Sequence, residues 1–202
     1  MACAHDHYVC DRCHSGSAND LIQRYCSTTE STDPMAMAIT LMQSPHIKMH
    51  GPEHHFLVPA VLLAAYYNRV NGGGSDKAKK IETARRRAED IKGGFCGFYG
   101  NCGAAVGTEI FLSVMTDATS LSKAEWRLCN LMTAESLQAI ANHGGPRCCK
   151  RDTFLAIRTA AAFLNKELHV DLDVTEPVIC EFSPLNKECT HDECPFCETS
   201  LP

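Results

Sequence analysis

Cysteines near the two ends of the sequence have the spacing of metal ligands. The chain of 202 residues contains 13 cysteines and 10 histidines. Two C-x-x-C pairs stand far apart along it, Cys10 with Cys13 and Cys194 with Cys197. A two-residue gap lets a tight turn aim both sulfur atoms at one ion, and four thiolates complete a tetrahedral zinc site. The pairs predict a zinc-binding module where the chain ends meet.

The C-terminal cysteines also permit a second partition of ligands. This segment alone supplies four thiols, those of Cys180, Cys189, Cys194 and Cys197. The C-x4-C-x2-C spacing that ends at Cys197 resembles the spacing of plant-type [2Fe–2S] ligands. The sequence leaves both partitions open and favours a structural zinc site over a redox centre at the chain ends.

Two glycine-rich loops place further cysteines in front of helices. Residues 93–107 contain Cys96 and Cys102, and residues 144–152 contain Cys148 and Cys149. The unpaired N–H groups and the positive dipole end at a helix start favour a thiolate. The second loop adds three cations, Arg147, Lys150 and Arg151. We therefore expect lowered thiol pKa values in both loops.

The two loops are expected to converge on one centre. The four loop cysteines would then hold an iron–sulfur cluster or another soft metal, or act as a nucleophile with a resolving thiol. In a sulfur-transfer version, Cys148 or Cys149 carries a persulfide, and Cys96 or Cys102 resolves it. The alternative is a second zinc site or ordinary buried cysteines.

Histidines supply candidate proton carriers. Four of them fall in residues 46–55, and Pro52 indicates that a helix begins there. This places His54 and His55 at the helix N-terminus, as metal ligands or as a general base beside a thiol. An exposed, hydrogen-bonded helix start is the alternative for either histidine.

The elements that position these residues are predicted to be helices. Apolar periodicity and capping residues predict a mainly α fold, a helical bundle of about five or six helices with the cysteine-rich module at its ends. Residues 1–202 are expected to form a single domain with a helical core over 33–170 and cysteine-rich segments over 1–30 and 177–202. The predicted helices lie near 35–43, 52–70, 76–92, 103–115, 124–142 and 153–168, with one strand over 176–182.

The helix predicted over residues 76–92 is strongly basic. From Lys77 to Lys92 it has seven cations and three carboxylates. Such a face supports an alternative, non-enzymatic function: a zinc-stabilised adaptor that docks RNA or a protein partner through this helix. The helix lacks interleaved aromatic residues for base stacking, which argues against nucleic acid.

Composition places the protein in a reducing compartment. The net charge is −5, the N-terminal residues do not resemble a signal peptide, and the longest apolar run, residues 56–67, is too short to span a bilayer. We therefore expect a cytoplasmic protein without membrane contact. Its clustered cysteines would be metal ligands or reactive thiols rather than disulfides.

Several of these motifs together resemble a known protein family. They are His50-Gly51-Pro52-Glu53-His54-His55, Cys96-Gly97 with Cys102-Gly103-Ala104-Ala105, Gly144-Gly145-Pro146-Arg147-Cys148-Cys149-Lys150-Arg151, and the segment from Cys180 through Asn186 to Phe196. The chain resembles an uncharacterised family of cysteine-rich proteins from anaerobic bacteria and archaea. The resemblance implies the handling of a metal or cluster.

The sequence thus predicts a cysteine-rich cytoplasmic metalloprotein. Its Cys/His site would serve thiol redox chemistry, sulfur transfer or the handling of a metal or iron–sulfur cluster. Zinc is the expected cofactor, with an iron–sulfur cluster as the other candidate. A small molecule or a sulfur carrier would be its substrate if it is an enzyme, a point that the sequence leaves open.

Overall fold

The computed structural model describes residues 11–71 and 76–198, with side chains over 18–70 and 76–198. This part of the chain is mainly helical and contains no strand. Its helices are α1 (Asp11–Thr28), α2 (Pro34–Met42), α3 (Glu53–Asn71), α4 (Asp76–Glu89), α5 (Phe95–Phe98), α6 (Gly103–Met115), α7 (Ala124–Ala141) and α8 (Cys149–Leu168). Two 3₁₀ turns follow, Ser183–Leu185 and His191–Glu193.

Helix α3 forms the centre of the bundle. All of its residues from 56 to 65 are buried. A helix that is apolar on every side must be enclosed by others. Accordingly α3 packs against α1, α2, α4, α6 and α8, while α7 covers α6 and α8. The apolar run that is too short for a membrane is thus the core of the fold.

Glycines let α6 approach α3 closely. A Cβ atom on Gly107 would lie 2.9 Å from Cδ of Pro59, and one on Gly103 would lie 2.1 Å from the His55 ring. Any side chain at Gly103 would therefore displace the imidazole. The close packing of these helices brings the start of α6, with Cys102, beside the start of α3.

The chain after α8 folds back along that helix. Arg158 of α8 binds both carboxylate oxygens of Glu176, at 2.6 and 2.8 Å. Phe196 is fully buried, with its ring 5.1 Å from that of Phe154. The N–H of Cys180 donates to the carbonyl of Phe196 at 2.7 Å. The cysteine-rich C-terminal segment is thereby held against the start of α8.

The predicted mainly α fold and its six helices are confirmed. Helix α2 begins as expected: Pro34 stands in its first turn, and the Asp33 carboxylate accepts the N–H groups of Met35 and Ala36 at 2.8 and 3.0 Å. The helix count was too low, since α1 and the short α5 were not predicted. Ala18, Ile22 and Cys26 of α1 are buried and lie about one helical turn apart. This helical periodicity was missed because the segment was interpreted as a cysteine-rich, metal-binding one.

Three local predictions were wrong. The strand over residues 176–182 does not form, because no extended neighbour lies beside it in the described chain and only Cys180 bonds to the opposing segment. Helix α8 begins at Cys149, a turn before Thr153. The sequence Ser122-Lys123-Ala124-Glu125 predicts a capping box at the start of α7, but the hydroxyl of Ser122 accepts the N–H of Thr119 instead, and α7 has no side-chain cap.

The predicted zinc module formed by both chain ends is not confirmed. Cys10 lies outside the described residues, and Cys13 belongs to α1 with a side chain that is not described. The pairing of these two cysteines with Cys194 and Cys197 therefore stays a prediction. Among the helices of residues 11–71 and 76–198, none is long and apolar enough to cross a membrane.

Candidate cysteine site at the start of α8

The two adjacent cysteines at the start of α8 point to different neighbours. Cys148 is the N-cap residue, and its sulfur accepts the N–H of Arg151 at 3.5 Å. The side-chain amide of Asn186 also donates to the Cys148 sulfur, at 3.7 Å. Cys149 instead lies close enough to Cys102 of the first glycine-rich loop for the Cys102 charge to raise the pKa of Cys149. The start of α8 is therefore a boundary between two groups of thiols.

On one side, four thiols from three separate chain segments surround a single small cavity. Its volume is about 20 Å³, and we call it the thiol cavity. The cysteines that line it are Cys148, Cys180, Cys189 and Cys194. Cys197 does not line this cavity, although it lies near enough to Cys194 to raise the pKa of that thiol. The structure thus adds Cys148 to three of the predicted C-terminal ligands.

Backbone amides are directed at the sulfur atoms of the thiol cavity. The N–H of His191 donates to the sulfur of Cys189 at 3.4 Å, as that of Arg151 does to Cys148. Amides of Phe182 and Phe196 lower the pKa of Cys180 and Cys194, respectively, although burial raises both more strongly. Amide donors of this kind stabilise a thiolate more than a thiol.

The sulfur atoms do not stand in a ligand arrangement as they are. Within the two described stretches of the chain, no group of three or more His, Cys, Asp or Glu side chains is placed so that it could hold a metal ion. A metal in the thiol cavity would require the sulfur atoms to turn inward. Rotation about the cysteine χ1 bond supplies such movement.

On the other side of the α8 start lies a much larger cavity of about 940 Å³. It is bounded by α7 and by the two glycine-rich loops, and we call it the glycine-loop cavity. Cys96 and Cys102 line it together with Arg147, Arg151 and Asp152. The predicted convergence of four loop cysteines is therefore divided. Cys96 and Cys102 line this cavity, Cys149 lies near Cys102 without lining it, and Cys148 lines the thiol cavity.

A buried ion pair forms the floor of the glycine-loop cavity. Nε of Arg151 binds the carboxylate of Asp152 at 3.1 Å, and both side chains are buried. The same guanidinium donates to the carbonyls of Gly144 and Pro146 at 2.9 and 3.3 Å. The Cys102 sulfur lies 3.9 Å from the other carboxylate oxygen of Asp152. Arg151 thereby fastens the second loop to the helix that follows it.

The expectation of lowered thiol pKa values was wrong. Burial, together with the Asp152 charge, raises the pKa of Cys102 to about 11 and that of Cys149 to about 12, and burial also raises the pKa of Cys148. The cations act in the predicted direction, since Arg151 lowers the pKa of Cys148 and Arg147 lowers that of Cys149, but burial raises both pKa values more strongly. These thiols are therefore protonated and weakly nucleophilic at neutral pH.

Lys150 is one of the most deeply buried polar side chains. Its ammonium group donates to the carbonyls of Met42 and Ile47 at 3.1 and 3.0 Å and lies 4.6 Å from the centre of the Phe182 ring. Burial lowers its pKa to about 8, and the buried carboxylate of Glu53 opposes that shift. Lys150 thus ties α8 to the end of α2 and to the loop before α3, and it also lies near enough to Cys148, Cys149 and Cys180 for their charges to raise its pKa.

His54 occupies a structural position. Its Nε2–H donates to the carbonyl of Lys48 at 3.1 Å, and its Nδ1 accepts the hydroxyl of Thr153 at 2.9 Å. Both ring nitrogens are thus engaged, and burial lowers the pKa of His54 to about 3. No nitrogen of this ring is available to carry a proton to a thiol.

His55 keeps one nitrogen available. Its Nδ1–H donates to the carbonyl of Ile91 at 3.2 Å, which leaves Nε2 as the unprotonated nitrogen. The Cβ position of Gly103 lies 2.3 Å from this Nε2, so the nitrogen faces the start of α6 beside Cys102. Of the two histidines predicted as general bases, His55 is therefore the one whose ring lies beside the start of α6, and its role as a base stays a prediction.

We expect His54 to make stability depend on pH. Its folded pKa lies below its unfolded value, so the unfolded chain binds a proton between about pH 6.5 and 3 that the folded chain does not. Stability from this source is complete above about pH 6.5 and falls on acidification, by about 2.5 kcal/mol at pH 4.5. Urea unfolding at pH 7.0 and 4.5 measures this loss.

Two variants isolate the contribution of His54. His54→Gln should remove this part of the pH dependence, whatever its effect on stability at pH 7. His143→Gln, at an exposed position after α7, should leave the pH dependence unchanged. An unchanged difference between the two pH values in His54→Gln would show that another group is responsible.

Sequence reasoning missed two polar groups at this site. By its residue type and position, Asp152 is predicted to cap a helix that begins at Thr153, and its ion pair with Arg151 was not expected. Asn186 was given no role, although its amide binds the Cys148 sulfur and its carbonyl oxygen lies 3.3 Å from Nε2 of His50. Nδ1 of His50 is buried without a hydrogen-bond partner among the described residues. In the sequence, His50 stands out only as the first residue of the motif His50-Gly51-Pro52-Glu53-His54-His55, and nothing in that motif predicts its contact with Asn186.

Most cations of the basic helix α4 are engaged within the protein. Lys77 is buried and binds Thr29 and Asn68, and Lys80 binds Asp117 at 2.6 Å. Arg85 pairs with Asp20 and Glu89, at 2.7 and 2.9 Å, and Arg87 donates to the hydroxyl of Ser113. The adaptor hypothesis therefore gains no support from this helix.

Comparison with known proteins assigns the chain to a family without assigning a function. Residues 22–197 match the family model described as "Family of unknown function (DUF5714)". The match covers both glycine-rich loops and the thiol cavity and begins after Cys10 and Cys13. No curated protein and no solved structure matches the chain.

Proposed function

Since the chain belongs to DUF5714, a family of unknown function, we propose from its site that it is a zinc-binding metalloprotein with its metal in the thiol cavity. The ligands are Cys148, Cys180, Cys189 and Cys194. The ion joins the start of α8 to the C-terminal segment.

The observation that carries this proposal is the meeting of these four thiols around one cavity. They come from the start of α8 and from two parts of the C-terminal segment, yet all four line the same small space. The sulfur atoms of Cys148 and Cys189 already accept backbone N–H groups. One of the four cysteines, Cys194, is buried, and the other three are partly buried. A group of four such thiols with amide donors is suited to a soft cation, because the positive charge of the ion favours four thiolates over four thiols.

The size of the cavity favours a single ion over a cluster. Its volume of about 20 Å³ is close to that of one water-sized sphere. A zinc ion with four sulfur ligands at about 2.3 Å fits such a space after the side chains turn inward. An iron–sulfur cluster contains several iron and sulfide atoms and would require the C-terminal segment to move away from α8.

The fold indicates what the ion does for the protein. As far as residue 198, the C-terminal segment has no regular secondary structure apart from two 3₁₀ turns and has few buried apolar side chains besides Val178, Phe182 and Phe196. Such a segment depends on cross-links to hold one conformation. A metal ion that joins it to Cys148 would provide that cross-link, as structural zinc sites do in other small modules.

We expect about one zinc ion per chain in protein purified without oxygen. Elemental analysis and a visible spectrum measure this directly, since a zinc–thiolate site is colourless and an iron–sulfur cluster is brown. Detection of stoichiometric iron with labile sulfide would show that the site holds an iron–sulfur cluster and not zinc. Folded protein free of metal would overturn the proposal.

Adjacent cysteines provide a matched pair of variants. Cys148→Ser should lower the zinc content severalfold, because Cys148 faces the thiol cavity. Cys149→Ser should retain zinc, because Cys149 lies towards Cys102 instead. Loss of zinc in Cys197→Ser but not in Cys148→Ser would show that Cys197, as predicted from the sequence, is the fourth ligand in place of Cys148.

A further inference from the structure

The glycine-loop cavity has the dimensions of a small-molecule site. Its volume of about 940 Å³ lies at the upper end of the range for ligand pockets. Leu137, Ile140 and Ala141 of α7, with the strongly exposed Phe98, give it an apolar wall. Such a wall suits the hydrocarbon or ring portion of a ligand.

At two positions that line the cavity, neither packing within the protein nor backbone conformation requires a glycine. At Gly97 and Gly145 a Cβ atom would meet nothing within 4 Å. Neither residue has a positive φ, unlike Gly100 and Gly144. Packing and backbone conformation therefore both allow a side chain at these positions. A molecule that approaches the backbone from the cavity is a physical reason for its absence.

The uncompensated charge in the cavity is positive. The Arg147 side chain lines the cavity at an exposed position, and it has no hydrogen bond or ion pair with another residue of the described chain. The neighbouring charges of Arg151 and Asp152 neutralise each other at 3.1 Å. An anionic group in the cavity would therefore bind Arg147, because a guanidinium group binds carboxylates and related groups through two parallel hydrogen bonds.

We infer that the glycine-loop cavity binds a small organic anion, with its apolar body against α7 and its acidic group on Arg147. The inference concerns a cavity other than the proposed zinc site, although Arg151 lines both, and it does not depend on the metal. Cys102 and Cys96 lie at the edge of the bound molecule, so the ligand also covers these thiols.

The dye 8-anilinonaphthalene-1-sulfonate, an apolar body with a sulfonate, is a probe for this cavity. We expect the full-length, zinc-containing protein to increase and blue-shift its fluorescence. The ligand 4-phenylbutyrate should displace the dye, and the uncharged 4-phenylbutanol should displace it several times less effectively. Equal displacement by both compounds would show that Arg147 does not bind the acidic group of the ligand.

Variants locate the dye within the molecule. Arg147→Gln should weaken binding by about three- to tenfold, as expected for one partly exposed charge-assisted contact. Ala141→Trp fills the cavity from an exposed position at the end of α7 and should abolish binding. Arg127→Gln, at an arginine of α7 that pairs with Glu167, should bind normally.

The zinc content of each variant separates this inference from the proposed function. Arg147→Gln and Ala141→Trp should retain the zinc of the unmodified protein, so dye binding and metal binding are measured independently. Dye binding that survives both changes would overturn the cavity assignment, even in protein that contains zinc. If the protein contains no zinc but its dye binding is weakened by both changes, the proposed zinc site is wrong and the inferred anion site stands.

Discussion

Replacing Lys150 with methionine should lower the free energy of unfolding by about 3 to 5 kcal/mol. The ammonium group satisfies two buried carbonyls, those of Met42 and Ile47, and lies near the buried carboxylate of Glu53. Methionine keeps an unbranched apolar stem and removes only the donors and the charge. The two carbonyls and the carboxylate would then be buried without their cation, which costs far more than losing an exposed charge.

Urea unfolding measured at pH 7 checks this result. Lys166→Met on the same helix is the matched control, because that ammonium group is exposed and pairs with Glu135 and Glu167 at the surface. We expect the control to change stability by less than about 1 kcal/mol. A similarly small loss in Lys150→Met would show that water or a rearrangement satisfies the carbonyls. The double variant with Glu53→Gln should recover part of the loss.

Replacing Arg151 with glutamine should cost about 3 to 4 kcal/mol of stability. The guanidinium neutralises the buried carboxylate of Asp152 and also binds the carbonyls of Gly144 and Pro146. A glutamine side chain leaves the carboxylate without a counter-charge and the loop before α8 without its attachment. The second glycine-rich loop should therefore also exchange its amide hydrogens faster.

A double-mutant cycle assigns the cost to the ion pair. Asp152→Asn removes the charge that Arg151 compensates, so Arg151→Gln combined with Asp152→Asn should be more stable than Arg151→Gln alone. Arg69→Gln is the control, because its pair with Asp173 is partly exposed. Simple additivity of the two changes would mean that the loop contacts, and not the buried charge, account for the loss.

The success of sequence reasoning followed the range of the interactions involved. Helix α2 was predicted from Asp33 and Pro34, which act on their immediate neighbours. The start of α8 was misplaced because Asp152 is a good cap by its residue type, yet its carboxylate is drawn to Arg151 inside the fold. A local signal therefore failed where a tertiary contact competed for the same side chain.

The thiols show the same limit for chemistry. A helix start and nearby cations are visible in the sequence, and both lower a thiol pKa. Burial of Cys102 and Cys149 acts in the opposite direction and is stronger, and Asp152 adds a negative charge. Burial depends on what other segments cover, so the direction of the shift could not be obtained from the loops alone.

Residue types and their spacing by themselves determined the helical class, the central position of the apolar segment in α3, and the supply of thiols at the start of α8. These properties depend on neighbours within one or two helical turns. Only the folded chain separated Cys148 from Cys149, placed Cys148 with three C-terminal thiols, and turned Lys150 into the core. Each of these outcomes depends on segments more than 30 residues apart, and their relative positions follow from the packing of the whole bundle.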